Sequence, residues 1–481
     1  YGFDMMWQES VKVLFKNLDT NPKISFNNCQ KIKFYKRFNF NFFIGLASIF
    51  KYSLKLIKNI SYKSKQRNII NSDYIFVDYL FNFNKSLMSQ YWSELPEILS
   101  KEHKVNIWHI YVPSPLTPSI SHAAKLIKKL NSRSSKNINH QLIDLEMSFK
   151  DLVPATLEYL IIFTYFAFNK FNSKIYPLIK NDYIRSFFSG ELLTALLMRR
   201  VFKRMAPKNL SKTIIVYVGE NQTWEKSLAD VALERKCNYS IFSVQTTLRY
   251  WDMRMYHPYI TSKKFPNEKK IYNFPSLFAC NSIYSFNELS NRMPNNYLKV
   301  VESLRQKISI TKQKKLLSDQ REPYIWFIGE YVESKTHQIY DILRKSKIKN
   351  YPYKMMFKPH PSDVGNFYRK YKKNFDNLKN IVNYQKGDLI IGDGTSTFLI
   401  ESFLKGWKVI AFRSKCSINL SSFYMTDFQP PFFSSTKELD KIIANIKNYK
   451  YKLDILKINE IFEPNQDFKK WLSVLDIKKI N

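Results

Sequence analysis

The residues best suited to chemistry lie where apolar runs give way to polar ones. Lys358, Pro359, His360 and Pro361 close an apolar run that begins at Tyr353. The two prolines restrict the backbone on either side of His360. A fixed imidazole there can donate to a phosphate oxygen, or act as general acid toward a leaving phosphate. Lys358 adds positive charge, and Pro361 holds the far side of the turn. The plain alternative is a rigid turn with an incidental histidine. Farther on, Gly392, Asp393, Gly394, Thr395, Ser396 and Thr397 join a strand-like run to a helical one. The free N–H groups and positive dipole end of such a helix attract anions. Hydroxyls at Thr395, Ser396 and Thr397 can reach a phosphate or simply cap the helix. Gly394 would let a ligand approach the backbone, and Glu401, about one turn into the helix, could reach a ribose hydroxyl. His360 and the Thr/Ser turn end strands of one expected sheet. Together they read as a site for a diphosphate or a nucleoside monophosphate. The Walker pattern GxxxxGK[ST] is absent.

The first half of the chain offers a different group. Glu220 directly follows the apolar run Thr213–Gly219, so it is expected at the carboxyl edge of a sheet. A carboxylate there can serve as general base toward an acceptor hydroxyl, or can simply be an N-terminal helix charge. Trp224 and Glu225 follow within one helical turn. Gln245, Arg249, Asp252 and Arg254, with Trp251, supply the arginine and aromatic chemistry that suits sugar, carboxylate or phosphate recognition. Asp78 and Asn84 are weaker candidates at the end of the first strand.

These residues need two sets of alternating elements to hold them. From Asp73, strand-like runs such as "YIFVDY", "VNIWHIY", "TIIVYVG" and "YSIFSV" alternate with helical patterns. Residues 310–322 are charged, lack an apolar pattern and read as a linker. A second alternation follows: "YIWFIGE", "HQIYDILRKS", "YKMMFKPHP", a helix near "FYRKYKKNF", the strand "NIVNY", "DLIIGDG", "STFLIESFLKG" and "WKVIAF". Such alternation implies βαβ units and mostly parallel sheets. The expected fold is α/β, with two Rossmann-like domains facing a cleft at the carboxyl ends of their strands. The expected boundaries are a basic, aromatic extension over 1–70, a first domain over 71–315, a second over 316–450, and a tail over 451–481 that packs back on the first domain.

The chain has 481 residues, is 44% hydrophobic and carries a net charge of +36, which favours anionic partners without choosing among them. Residues 1–70 hold thirteen Lys and Arg against three acids, with aromatics interleaved. That composition suits an anionic membrane face, with a solvated basic surface as the alternative. The stretch 38–57 is interrupted by Asn39, Asn41, Lys51 and Lys55, so no spanning helix is expected. The four cysteines lie far apart, which disfavours a zinc site or disulfide framework and fits a reducing cytoplasm.

The pairing of Lys-Pro-His-Pro with a Ser/Thr-rich turn and a following Glu resembles the donor half of GT-B glycosyltransferases of the CMP-sugar group, which includes bacterial sialyltransferases and Kdo transferases. That resemblance assigns the CMP phosphate to His360 and Thr395–Thr397. The stretches "ENQTWEKSL" and "QTTLRYWDMR" resemble the bacterial surface carbohydrate biosynthesis protein family over about residues 73–450, although Thr246 stands where that family has a histidine. The resemblance implies a glycosyltransferase of envelope polysaccharide synthesis; a carboxylate base at Glu220 suggests inversion, and no DxD-like triplet sits at an obvious strand end, which agrees with independence of metal or other cofactor. It would act at the inner face of the cytoplasmic membrane, on a nucleotide-sugar and a lipid-linked glycan acceptor. The alternatives are a UDP-sugar transferase or epimerase-like relative, a CDP-polyol phosphotransferase, and a basic nucleic-acid-binding protein. The last leaves the His-Pro turn and both α/β halves unexplained.

Overall fold

The computed structural model describes residues 34–60, 62, 72–80, 89, 91–114, 116–168, 190–207, 210, 212–220, 222–237, 239–244, 275–290, 294–305, 322–330, 333–350, 353–360, 388–404, 406–414, 421, 423, 429–446, 463 and 467–475. The helix expected near "FYRKYKKNF", the strand "NIVNY" and most of the 310–322 segment lie outside these residues.

The first sheet is parallel throughout and holds β1 (Tyr74–Tyr79), β2 (Val105–Ile110), β3 (Ile138–Leu142), β4 (Ile214–Gly219), β5 (Tyr239–Val244), β6 (Leu277–Cys280) and β7 (Leu298–Val300). Their order is β3-β2-β1-β4-β5-β6-β7. β1, β2 and β4 are buried at every position, as strands covered on both faces must be. Around the sheet lie α1 (Phe34–Ile60), α2 (Ile120–Arg133), α3 (Phe149–Phe168), α4 (Gly190–Met205) and α5 (Thr223–Glu234). α1 belongs to this first core rather than standing apart from it. Leu56 is buried in the core, Ile49 and Tyr52 pack against it, and the Tyr52 hydroxyl lies 2.6 Å from Thr194 Oγ1.

The second sheet is smaller and also parallel. It contains β8 (Ile325–Ile328), β9 (Met355–Lys358), β10 (Leu389–Asp393), β11 (Lys408–Phe412) and β12 (Phe432–Phe433), in the order β12-β11-β10-β8-β9. Its helices include α6 (Glu333–Lys345), α7 (Thr397–Leu404) and α8 (Thr436–Asn445). Separate apolar clusters fill its two faces, one under α6 and α8 and the other under α7. The last helix, α9 (Lys469–Leu475), joins the first core through Trp471, Val474 and Leu475. Glu302 fixes it there by accepting from the N–H groups of Lys470 (2.7 Å) and Trp471 (2.9 Å).

The chain is therefore an α/β protein with two Rossmann-like sheets. Each order contains one reversal, between β1 and β4 in the first sheet and between β8 and β10 in the second. At such a reversal the connecting helices leave toward opposite faces, which opens a crevice outside the carboxyl ends of the strands.

Candidate functional site

Glu220 stands at the first reversal. It follows Gly219 at the end of β4, beside the end of β1. The Tyr91 hydroxyl donates to Glu220 Oε1 at 3.2 Å, and Arg305 Nη1 lies 3.6 Å from the same oxygen. The Arg305 guanidinium also sits 5.3 Å from the centre of the Tyr91 ring. Burial pushes the Glu220 carboxyl above its usual range, while Arg305 and the Tyr91 hydroxyl pull it back. Its side chain nonetheless keeps 28% of its surface exposed. A carboxylate that is reachable yet readily protonated is suited to take a proton from a hydroxyl group. Tyr91 and Arg305 carry no motif and come from distant parts of the chain, so sequence reasoning missed both.

Trp224 and Glu225 take positions different from the ligand contacts expected of them. Both are buried. Trp224 Nε1 donates to the Tyr79 hydroxyl at 2.8 Å, and its ring meets Tyr79 edge-on. Glu225 Oε1 accepts from the backbone N–H groups of Glu220 (2.8 Å) and Gln222 (2.9 Å). An acid at the third helical position that reaches back to the cap is one half of a capping box. Glu225 thus fixes the backbone that presents Glu220. Both side chains lie in the first turn of α5, where Trp224 turns onto Tyr79 and Glu225 reaches back to the cap. Behind the crevice, buried Asp78 accepts from Ser89 Oγ (2.9 Å) and meets His109 Nδ1 at 2.5 Å, while His109 Nε2 lies 2.9 Å from His140 Nδ1. Ser89 Oγ in turn accepts from the Tyr91 N–H at 3.2 Å, which ties this row to the residue touching Glu220. Asn84, Gln245, Arg249, Asp252 and Arg254 lie outside the described residues.

The second reversal gathers its own group. β8 is followed by Gly329 and Glu330, and β10 ends in Asp393. Asp393 Oδ2 pairs with Lys335 Nζ at 3.0 Å, and its Oδ1 accepts from the Thr395 N–H (2.8 Å) and hydroxyl (2.6 Å). Glu330 Oε1 is buried with no hydrogen-bond partner among the described residues. Burial, and then the neighbouring Asp393 charge, push the Glu330 carboxyl up to about 8, against the pull of Lys335. At neutral pH it is therefore mainly a neutral acid, able to donate. Asp393 is offset by Lys335. Sequence reasoning passed over Glu330, although "IWFIGE" repeats the strand, glycine and glutamate order of "VYVGE" at Glu220.

The expected phosphate residues surround this point unequally. A Cβ on Gly329 would lie 3.2 Å from the His360 backbone nitrogen, so the His-Pro turn closes directly over the end of β8. Lys358 Nζ lies 3.3 Å from the centre of the Phe398 ring, which links the end of β9 to the first turn of α7. His360, Lys358 and the start of α7 are thus brought together. Thr395 is exposed and Ser396 and Thr397 are half-buried at that start, with Glu401 half-buried one turn on. Gly394 lies against protein atoms. It is buried, its N–H donates to the Phe412 carbonyl at 2.9 Å, and a Cβ would lie 2.9 Å from the Phe432 ring. The glycine makes room for Phe432. Pro361 lies outside the described residues. Among the described residues no group of three or more His, Cys, Asp or Glu side chains could hold a metal ion.

No family model and no curated protein matches the chain. Several solved structures resemble it. UDP-GlcNAc 2-epimerase from Neisseria meningitidis, bound to UDP-GlcNAc, is 14% identical over 85% of this chain and 100% of its own, with a TM-score of 0.39. The wall teichoic acid polymerase TagF is 10% identical over 90% of this chain and 97% of its own, with a TM-score of 0.40. The glycotransferase of kitacinnamycin is 7% identical over 85% and 98%, with a TM-score of 0.44. All three superpositions are loose, at identities far below those at which a substrate follows from relatedness.

Proposed function

We propose that this chain is a nucleotide-sugar-dependent glycosyltransferase of surface polysaccharide synthesis. The observation that carries the reading is Glu220: a part-exposed carboxyl at the first switch point, held by Tyr91 and Arg305 and raised above its usual range by burial. In the proposed reaction the acceptor hydroxyl loses its proton to Glu220 as its oxygen bonds to the anomeric carbon of the donor sugar. The bond from that carbon to the nucleotide phosphate breaks with inversion, and the electron pair leaves on the phosphate. The developing charge meets His360, Lys358 and the positive end of α7 at Thr395, Ser396 and Thr397. Glu330, as a neutral acid, supplies a hydrogen bond to the same ligand. In sequence, Gln245 directly follows β5, and the run continues through Arg249, Asp252 and Arg254. It is the proposed contact with the glycan acceptor.

A CMP-linked nonulosonic acid or Kdo is the first donor to test, on the strength of the Lys-Pro-His-Pro resemblance. UDP-sugars and CDP-linked polyols are its competitors, since the phosphate chemistry is common to all three. Thermal-shift titration with CMP, CDP, UDP and GDP, on wild type and His360→Ala, identifies the nucleotide. The expected result is stabilisation of wild type by one nucleotide, reduced at least about tenfold in affinity by the substitution. With that donor, Glu220→Gln should retain nucleotide binding and lose about 10²–10⁴-fold in turnover. Failure of all four nucleotides to bind wild type would refute the proposal.

A further inference from the structure

Surface helices of water-soluble domains place apolar residues inward and polar residues outward. α1 and α3 depart from that pattern on the outside. On α1 the inward face carries Leu56, buried, with Lys55 paired to Asp144 and Asn59 donating to the Asp144 carbonyl. Its other face exposes Leu46, Phe50, Leu54 and Ile57, spaced by four, four and three residues. That spacing is one continuous stripe of a helix. On α3 the inward residues Leu152, Ala155 and Tyr159 are buried, while Phe149, Val153 and Leu157 form an exposed stripe. Phe50 is 66% exposed and Leu157 57%, which is far from the partial exposure of an ordinary boundary residue. α1 packs against both α3 and α4, and α3 packs against α4, so the two stripes belong to one helical layer. Most of the large exposed apolar side chains among the described residues lie on these two helices.

Cations flank the stripes. Lys51 and Lys58 on α1, and Lys150 on α3, are exposed one position round from a stripe residue. The chain as a whole carries +36. Two copies of so cationic a chain repel one another, whereas an anionic surface attracts each of them. Apolar residues outward with lysines alongside is the arrangement of a helix that lies in a lipid interface. We propose that the outer face of α1 and α3 rests on an anionic lipid bilayer, with the two stripes in the boundary between headgroups and acyl chains and the lysines on the headgroups. This attachment uses the first domain's own helical layer, so α3 takes part as well as the basic segment before residue 70.

The test is sedimentation of the full chain with vesicles of phosphatidylglycerol and phosphatidylcholine, compared with phosphatidylcholine alone. Two stripe pairs are compared with wild type: Phe50→Glu with Leu54→Glu, and Val153→Glu with Leu157→Glu. The milder Phe50→Ala with Leu54→Ala guards against misfolding, and circular dichroism with thermal melting checks each variant. Wild type should bind the anionic vesicles, and each stripe pair should weaken partitioning by at least about tenfold with its melting temperature unchanged. Salt should weaken the binding without abolishing it. Binding that survives both stripe pairs would show that charge alone holds the protein, and would overturn the proposal. So would no binding by wild type, or a stripe-dependent dimer in sedimentation equilibrium without vesicle binding.

Discussion

Replacing Glu330 by Gln should remove a pH dependence from the stability of the second domain. In the unfolded chain this carboxyl releases its proton near the model-peptide value of 4.5, and in the folded domain near 8. Between those values the folded state holds a proton that the unfolded state has lost. Stability therefore falls as pH rises through this window, by about 1.4 kcal/mol per pH unit. The stabilising contribution is complete below the lower value and is lost by the upper one. Across the window the ceiling is about 5 kcal/mol, and between about pH 5.5 and 7.5 it is about 2.7 kcal/mol. Gln keeps the shape of the protonated acid and cannot ionise. The assay is urea unfolding of both proteins at several pH values in this range, taking the difference between them at each pH so that all other titrating groups cancel. The variant should gain on wild type steadily as pH rises. A difference that stays flat with pH would mean that Glu330 ionises normally, and the account of the second switch point as a neutral-acid site would fail.

Arg305→Met should raise the Glu220 carboxyl further, because Arg305 is the cation that pulls it down. The acidic limb of the pH–rate profile should move to higher pH, with activity near neutrality falling more than activity at alkaline pH. Glu302→Gln should loosen α9 by about 1–3 kcal/mol, since the carboxylate that accepts from two of its first N–H groups is lost. Hydrogen exchange over residues 469–475 should quicken while the second domain stays unchanged.

Much of the architecture was legible because parallel strands covered on both faces must be continuous apolar runs. "YIFVDY", "IIVYVG" and "LIIGD" could hardly be anything else, and the residue after each such run is placed at the carboxyl edge whatever the rest of the chain does. Glu220 and the Thr395–Thr397 turn were found on that logic. The packing of α1 on the first core and the return of α9 depend on tertiary contacts such as Lys55 with Asp144 and Glu302 with Trp471, which have no local signature. The same holds for Arg305, which reaches Glu220 across 85 residues of sequence, as the difference of the two positions gives (305 − 220).

Gly394 and the pair Trp224 and Glu225 lie against protein atoms that their sequence context does not announce. A glycine or an acid beside a strand end has the same spacing in sequence whether it faces a ligand or the protein. What decides is which atoms already occupy the space: Phe432 beside Gly394, Tyr79 beside Trp224, and the 220–222 backbone against Glu225. Glu330 is the converse case. Its sequence context matches that of Glu220, but its neighbours do not: Glu220 meets a tyrosine hydroxyl and an arginine, whereas Glu330 meets the negative charge of Asp393. Two glutamates with the same strand-glycine approach thereby meet different electrostatic surroundings. This difference follows from the partners at each switch point rather than from the sequence around each glutamate.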